Sequence, residues 1–110
     1  MIRSAAQTKR SIRWWFTRIN KKAFRGKLPV IPVKYGNTDK VVAYTNRYRT
    51  RSQEWFTIRL SKKIQFSRSL SLISLAHEMV HVENWRWGHN RKFEKRLVEV
   101  VKKAGLVRFL

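Results

Sequence analysis

Apolar residues near the start of the chain recur at helical spacing. Ile12, Trp15, Phe16, Ile19 and Ala23 share one stripe, and Arg10, Arg13, Arg18, Lys21, Lys22 and Arg25 fill the remaining surface. The pattern predicts an amphipathic helix over about residues 4–24, stopped by Gly26 and Pro29. Beyond Pro29 the period shortens. Val30–Lys34 is interrupted by Pro32, which cannot donate to a ladder, so this run belongs at a sheet edge. Gly36-Asn37-Thr38-Asp39 reads as a turn, followed by a strand over Val41–Thr45. Residues 46–53 (Asn-Arg-Tyr-Arg-Thr-Arg-Ser-Gln) read as a polar connection. In Trp55–Leu60, Phe56, Ile58 and Leu60 alternate with Thr57 and Arg59, as in a half-buried strand. Two helices follow. One spans about residues 69–84, capped by Ser67 or Ser69 and ridged by Leu72, Leu75, Ala76, Met79 and Val80. After a link from Asn84 to Gly88, the other spans about residues 90–104, with Asn90 as cap, Phe93, Leu97, Val100, Val101 and Ala104 inward, and Gly105 as its stop. The order α-β-β-β-α-α predicts a single α+β domain over residues 1–110: an N-terminal helix, a small three-stranded antiparallel sheet, and two closing helices.

Composition supports a folded chain with an unusual surface. With 43% hydrophobic and 13% aromatic residues, including five Trp, the sequence is far from a disordered composition. Lys and Arg number 26 against six acids, a net charge of +20, with +15 of it in residues 1–63 and +5 in residues 64–110. Such a density repels itself and points to a polyanionic partner, because neutralising phosphates releases counterions. The chain has no Cys. Disulfides, thiolate zinc knuckles and thiol nucleophiles are therefore excluded, which fits a reducing cytoplasm of a bacterial or phage-infected host. No apolar run approaches membrane-spanning length, and residues 1–10 lack the apolar stretch of a secretory signal, so neither membrane insertion nor secretion is expected.

The candidate chemistry lies in His77-Glu78-Met79-Val80-His81, inside the first closing helix. Residues four apart share a helix face, so both imidazoles reach one ion. Glu78 is displaced by about 100° around the axis, beside the ion instead of on it. This is the spacing of zinc hydrolases of the H-E-x-x-H type. There, one Zn²⁺ lowers the pKa of a bound water toward about 7, and the carboxylate takes that water's proton and passes it to the leaving amine. A lone His on a helix is more often a hydrogen-bonded structural residue, and a lone Glu a solvated acid. The pattern as a whole argues otherwise. A catalytic zinc needs a third protein ligand. His89, the remaining His, follows Gly88 after a seven-residue return from His81. Glu94 is the rival third ligand, while Glu83, two residues past His81, points away.

These residues resemble the SprT-like metallopeptidases, which include Spartan-type proteases that clear proteins crosslinked to DNA. Asn20-Lys21-Lys22-Ala23-Phe24-Arg25-Gly26-Lys27-Leu28-Pro29 is similar to that family's first-helix ending. Ile58-Arg59-Leu60-Ser61 is similar to its pre-helix strand, and His77-Glu78-Met79-Val80-His81 with Gly88-His89-Asn90-Arg91-Lys92-Phe93 to its zinc site. The likeness covers roughly residues 11–104 and implies zinc on His77, His81 and His89, with Glu78 as the catalytic acid and base. Asn90 stands where the family usually has Gly, and no Cys-rich ribbon is present, so any DNA targeting is expected from the domain's own charge or from a partner.

Arg47-Tyr48-Arg49-Thr50-Arg51 alternates cations with a stacking ring. With Arg10, Arg13, Arg18, Lys21 and Lys22 it forms the expected grip on a nucleic-acid backbone, tolerant of sequence because no base-reading motif is present. Trp15 and Trp55 are expected in the core, and Trp85 and Trp87 near the metal. The resulting expectation is a monomeric zinc endopeptidase acting on proteins at or near DNA, its extended substrate added to the open sheet edge. The alternatives are a nucleic-acid-binding module with a structural zinc or an inactive protease fold, and a basic metalloprotein aimed at another anionic target.

Overall fold

Helix α1 (Ile12–Ala23) begins at Ser11, whose hydroxyl accepts from the Trp14 amide at 3.1 Å. It buries Trp15, Phe16, Ile19 and Ala23, the stripe the spacing picks out. Its exit is clamped by Asn20. The side-chain amide donates to the Leu28 carbonyl at 3.0 Å and accepts from the Leu28 amide at 3.1 Å, so one residue holds the chain as it turns toward the sheet. The computed structural model describes residues 10–110. The part of the expected first helix in residues 4–9 lies outside them.

Three strands follow: β1 (Val33–Gly36), β2 (Ala43–Arg49) and β3 (Glu54–Ser61). Their spatial order is β1-β3-β2. β2 and β3 form an antiparallel hairpin closed at residues 50–53, where the Thr50 amide donates to the Gln53 carbonyl at 2.8 Å. β1 runs parallel to β3, with Val33 opposite Ile58 and Tyr35 opposite Leu60. The sheet is therefore mixed, and the antiparallel expectation is corrected. Alternation of apolar residues decides which face of a strand is buried; it carries no information on neighbour or direction. The second strand also runs further than expected. Asn46–Arg49 belong to β2, and only residues 50–53 turn. β2 is an edge strand with an open outer face, so its polar residues are compatible with sheet and are indistinguishable from a loop by hydropathy.

Helix α2 (Arg68–Glu83) packs on β2 and β3, α1 packs on β1, and α3 (Arg91–Lys103) packs on α1 and α2. Ser67 caps α2, accepting from the Leu70 amide at 3.2 Å. α2 is buried on most sides, with Leu72, Leu75, Ala76, Met79 and Val80 at 0–1% exposure, and is the central rod on which the other elements assemble. The Tyr35 hydroxyl donates to Ser71 Oγ at 2.8 Å, and that hydroxyl donates to the Ile64 carbonyl at 3.0 Å, tying β1 to the start of α2. Arg96 fastens the opposite end. Its guanidinium pairs with Glu83 at 2.7 Å and with Glu99, donates to the Ala23 carbonyl at 2.8 Å, and lies 4.8 Å from the Phe24 ring. No helix of the described residues is long and apolar enough to cross a membrane.

Candidate metal centre

His77 and His81 leave the same face of α2, one turn apart. His89 reaches them because the chain reverses after α2. A short 3-10 turn, Trp85–Trp87, is followed by Gly88 at φ 58, a left-handed conformation that disfavours any residue with a Cβ. Asn90 then caps α3, its Oδ1 accepting from the Phe93 amide at 3.0 Å. In this way the residue that departs from the resembled pattern takes a defined structural part.

The three Nε2 atoms form a near-equilateral triangle, 3.1 Å from His77 to His89, 3.2 Å from His81 to His77 and 3.0 Å from His81 to His89. Such a triangle is a poor hydrogen-bonded network. Each ring nitrogen has a single in-plane lobe, carrying either a proton or a lone pair. One proton can join one pair, and the third nitrogen is left without a partner. Around a tetrahedral zinc with Zn–N of about 2.0–2.1 Å, the nitrogens stand about 3.3 Å apart, close to the spacing observed. The donor set of three imidazoles, with no carboxylate in the cluster among the described residues, suits zinc. Glu83, paired with Arg96, and Glu94, exposed in the first turn of α3, lie outside it.

Metal ligation requires neutral imidazoles, and burial favours them. His77 and His81 are both held below the ordinary value of 6.5, first by loss of water around the ring and then by neighbouring imidazoles, His81 down to about 4. The metal-free protein is therefore sensitive to acid. Between pH 6.5 and about 4 the unfolded chain binds a proton at residue 81 that the folded chain refuses, so acidification favours unfolding in that window. Glu78, raised by burial, acts in the opposite sense. The expected result is a lower urea midpoint for metal-free protein at pH 5 than at pH 7, with a smaller drop for His81→Gln. An equal drop in both proteins rules out His81 as the source.

Glu78 is 5% exposed. Its Oε1 accepts from the Thr45 hydroxyl on β2 at 2.7 Å. Burial raises the carboxyl pKa, and the Thr45 hydrogen bond and nearby His89 oppose that rise. Its second oxygen makes no hydrogen bond among the described residues, while the side chain lines a cleft of about 430 Å³. That cleft holds all three histidines, with Ala43, Tyr44 and Thr45 of β2 along one wall and Trp85 on another. Thr45 was not singled out by the sequence, since nothing in a strand pattern reveals which helix residue it will face.

Phe93 closes the centre from below. It is 2% exposed, and its ring centroid lies 4.8, 4.4 and 5.3 Å from those of His77, His81 and His89. Trp85 stands 6.4 Å from His81 and carries the Arg47 guanidinium at 5.7 Å, while Trp87 is half-buried against the core.

The basic candidates fall in two places. Arg10, just before α1, and Arg13, Lys21 and Lys22 on it are exposed and Arg18 is half-buried, with Arg10 and Arg18 at 4.8 and 5.7 Å from the Trp14 ring. On the hairpin, Arg47 is engaged by Glu54 at 2.7 Å, and Arg49 approaches the same carboxylate at 3.8 Å. Arg51 is exposed in the turn. Tyr48 stacks on Trp55, which is 45% exposed and not the core residue expected. Trp55 alternates with the buried Phe56 and so faces outward. No protein-family model matches the chain, and no curated protein is significantly similar to it.

Proposed function

We propose that this chain is a zinc-dependent endopeptidase of SprT-like type acting on proteins at or near DNA. The observation that carries the reading is the convergence of three imidazole nitrogens within 3.2 Å of one another, beside a buried carboxylate on the wall of an open cleft. His77, His81 and His89 would hold the ion, which when bound supplies Lewis-acid polarisation of water and of a scissile carbonyl. A structural zinc is closed by four protein ligands; three histidines leave one position for water or substrate, which favours catalysis over the structural alternative.

Glu78 then handles the proton. With Oε1 held by Thr45, the other oxygen accepts the proton of the attacking water and returns it to the departing amine. β2 is an edge strand and its Ala43-Tyr44-Thr45 segment borders the cleft, so an extended peptide can add to that edge and present its main chain to the site. The net charge of +20 supports a polyanionic setting for the reaction.

Purified protein is expected to carry one zinc per chain by elemental analysis. His89→Ala should weaken that binding by more than the about 10–100-fold typical of losing an outer partner of a ligand. Chelation should stop cleavage of an unstructured protein substrate, and zinc should restore it. Full zinc occupancy in His89→Ala, or cleavage that survives chelation, overturns the reading.

A further inference from the structure

The sheet has a second face, turned away from the helices. Lys34 on β1, Tyr44, Asn46 and Tyr48 on β2, and Trp55, Thr57 and Arg59 on β3 share it. Their register shows this: Lys34 lies opposite Arg59, Asn46 opposite Thr57 and Tyr48 opposite Trp55, while the alternate residues Val33, Phe56, Ile58 and Leu60 are buried. Of the seven, five are exposed and Tyr44 and Thr57 are half-buried. Among the described residues no element covers them, and all but Tyr44 and Trp55 line a groove of about 360 Å³.

Two features distinguish this face from an ordinary solvated one. At one end Tyr48 and Trp55 are stacked, centroids 5.6 Å apart and planes within 16°, yet they remain 41% and 45% exposed. At the other end Lys34 and Arg59 stand side by side. Arg59 lies flat across β1, which Gly36 permits; a Cβ there would meet Arg59 Cδ at 3.1 Å. No carboxylate belongs to the face. Glu54, the acid of the hairpin, is already engaged by Arg47.

We propose that this outer face binds single-stranded nucleic acid, a base continuing the Trp55–Tyr48 stack on the open side of Tyr48 and the adjoining phosphates resting on Arg59 and Lys34. An open aromatic surface with flanking cations suits unpaired bases, because every base offers a π-face whatever its identity, whereas paired bases are already stacked within their duplex. An acidic peptide would satisfy the cations but leave the stack unused. The inference deepens the nucleic-acid half of the functional proposal and is independent of the metal chemistry.

The test measures anisotropy of a labelled oligo-dT of about 12 nucleotides, a length within single-strand site sizes, beside a duplex of equal length. The full chain is used, with its zinc content and circular dichroism compared across variants. Tyr48→Ala should weaken oligo-dT binding roughly 5- to 150-fold, the range for loss of one stacked base, with duplex affinity unchanged. Tyr48→Phe should retain wild-type affinity. Arg59→Gln should reduce the salt slope on oligo-dT by about 0.7. No loss with Tyr48→Ala, or an equal loss on both probes, overturns this site while leaving the wider nucleic-acid reading intact. Absence of binding to either probe overturns both.

Discussion

Glu78→Gln is expected to leave zinc stoichiometry unchanged and to lower cleavage of an unstructured protein substrate by about 10²–10⁴-fold, the usual contribution of a positioned general acid and base. The substitution keeps the shape of a side chain that is 5% exposed, and the amide oxygen still accepts from Thr45. What it removes is the capacity to take a proton and give it back. Stability should not fall, because a neutral amide avoids the desolvation that a buried carboxylate suffers when ionised. Metal content, thermal midpoint and turnover therefore separate: the first two hold and the third collapses. Turnover that persists at the wild-type level removes Glu78 from the chemistry, whereas loss of zinc in this variant would recast Glu78 as part of the binding site. The effect exceeds that of any surface substitution, since it acts on the transition state and not on the ground-state fold.

The helices and the histidine cluster were legible in the sequence because their signals are local. Ser67 and Asn90 cap helices within three residues of the groups they satisfy, whereas Ser11, inside the helix expected over residues 4–24, is instead the cap that starts α1. His77 and His81 are juxtaposed by helical pitch alone, and His89 follows after one tight return, so the candidate site draws its three imidazoles from thirteen consecutive residues. What was not legible depends on pairings between distant segments. The parallel partnership of β1 with β3 is invisible to a period-2 pattern, which is identical for either direction. Thr45 meets Glu78 across a separation of 33 residues, and Arg96 reaches Ala23 across 73. Trp55 departs from the core position expected for it for a related reason. Large aromatic side chains are buried on average, and only the alternation with Phe56, read against the correct inner face, places Trp55 outside. The hairpin cations changed meaning in the same way: Arg47 has Glu54 and Trp85 as neighbours, and the open surface belongs to Tyr48 and Arg59.

Phe93 shows how far the core and the metal centre are one structure, and Phe93→Ala is expected to damage both. Truncating a ring that is 2% exposed should cost about 3–5 kcal/mol, a large share of the 5–15 kcal/mol typical of a domain. The consequence for zinc is separable. The ring backs all three imidazoles at centroid distances of 4.4–5.3 Å, so without it the ligand rings regain rotational freedom. Hydrogen-bonding partners that orient ligand imidazoles are worth about 10–100-fold in metal affinity, and an equal loss is expected when the ring that orients them by packing is removed. Under saturating zinc, where stabilisation follows the logarithm of concentration over Kd, that loss converts to about 1.4–2.7 kcal/mol. Urea unfolding of zinc-loaded and metal-free protein should therefore give a larger destabilisation in the loaded form, by that difference. Phe93→Leu conserves most of the apolar volume and should cost less than about 1.5 kcal/mol in the metal-free protein, yet it still surrenders the flat surface behind the histidines. If loaded and metal-free forms lose equal stability in both variants, Phe93 is a core residue that happens to lie under the site, and the three imidazoles are oriented by their backbones alone.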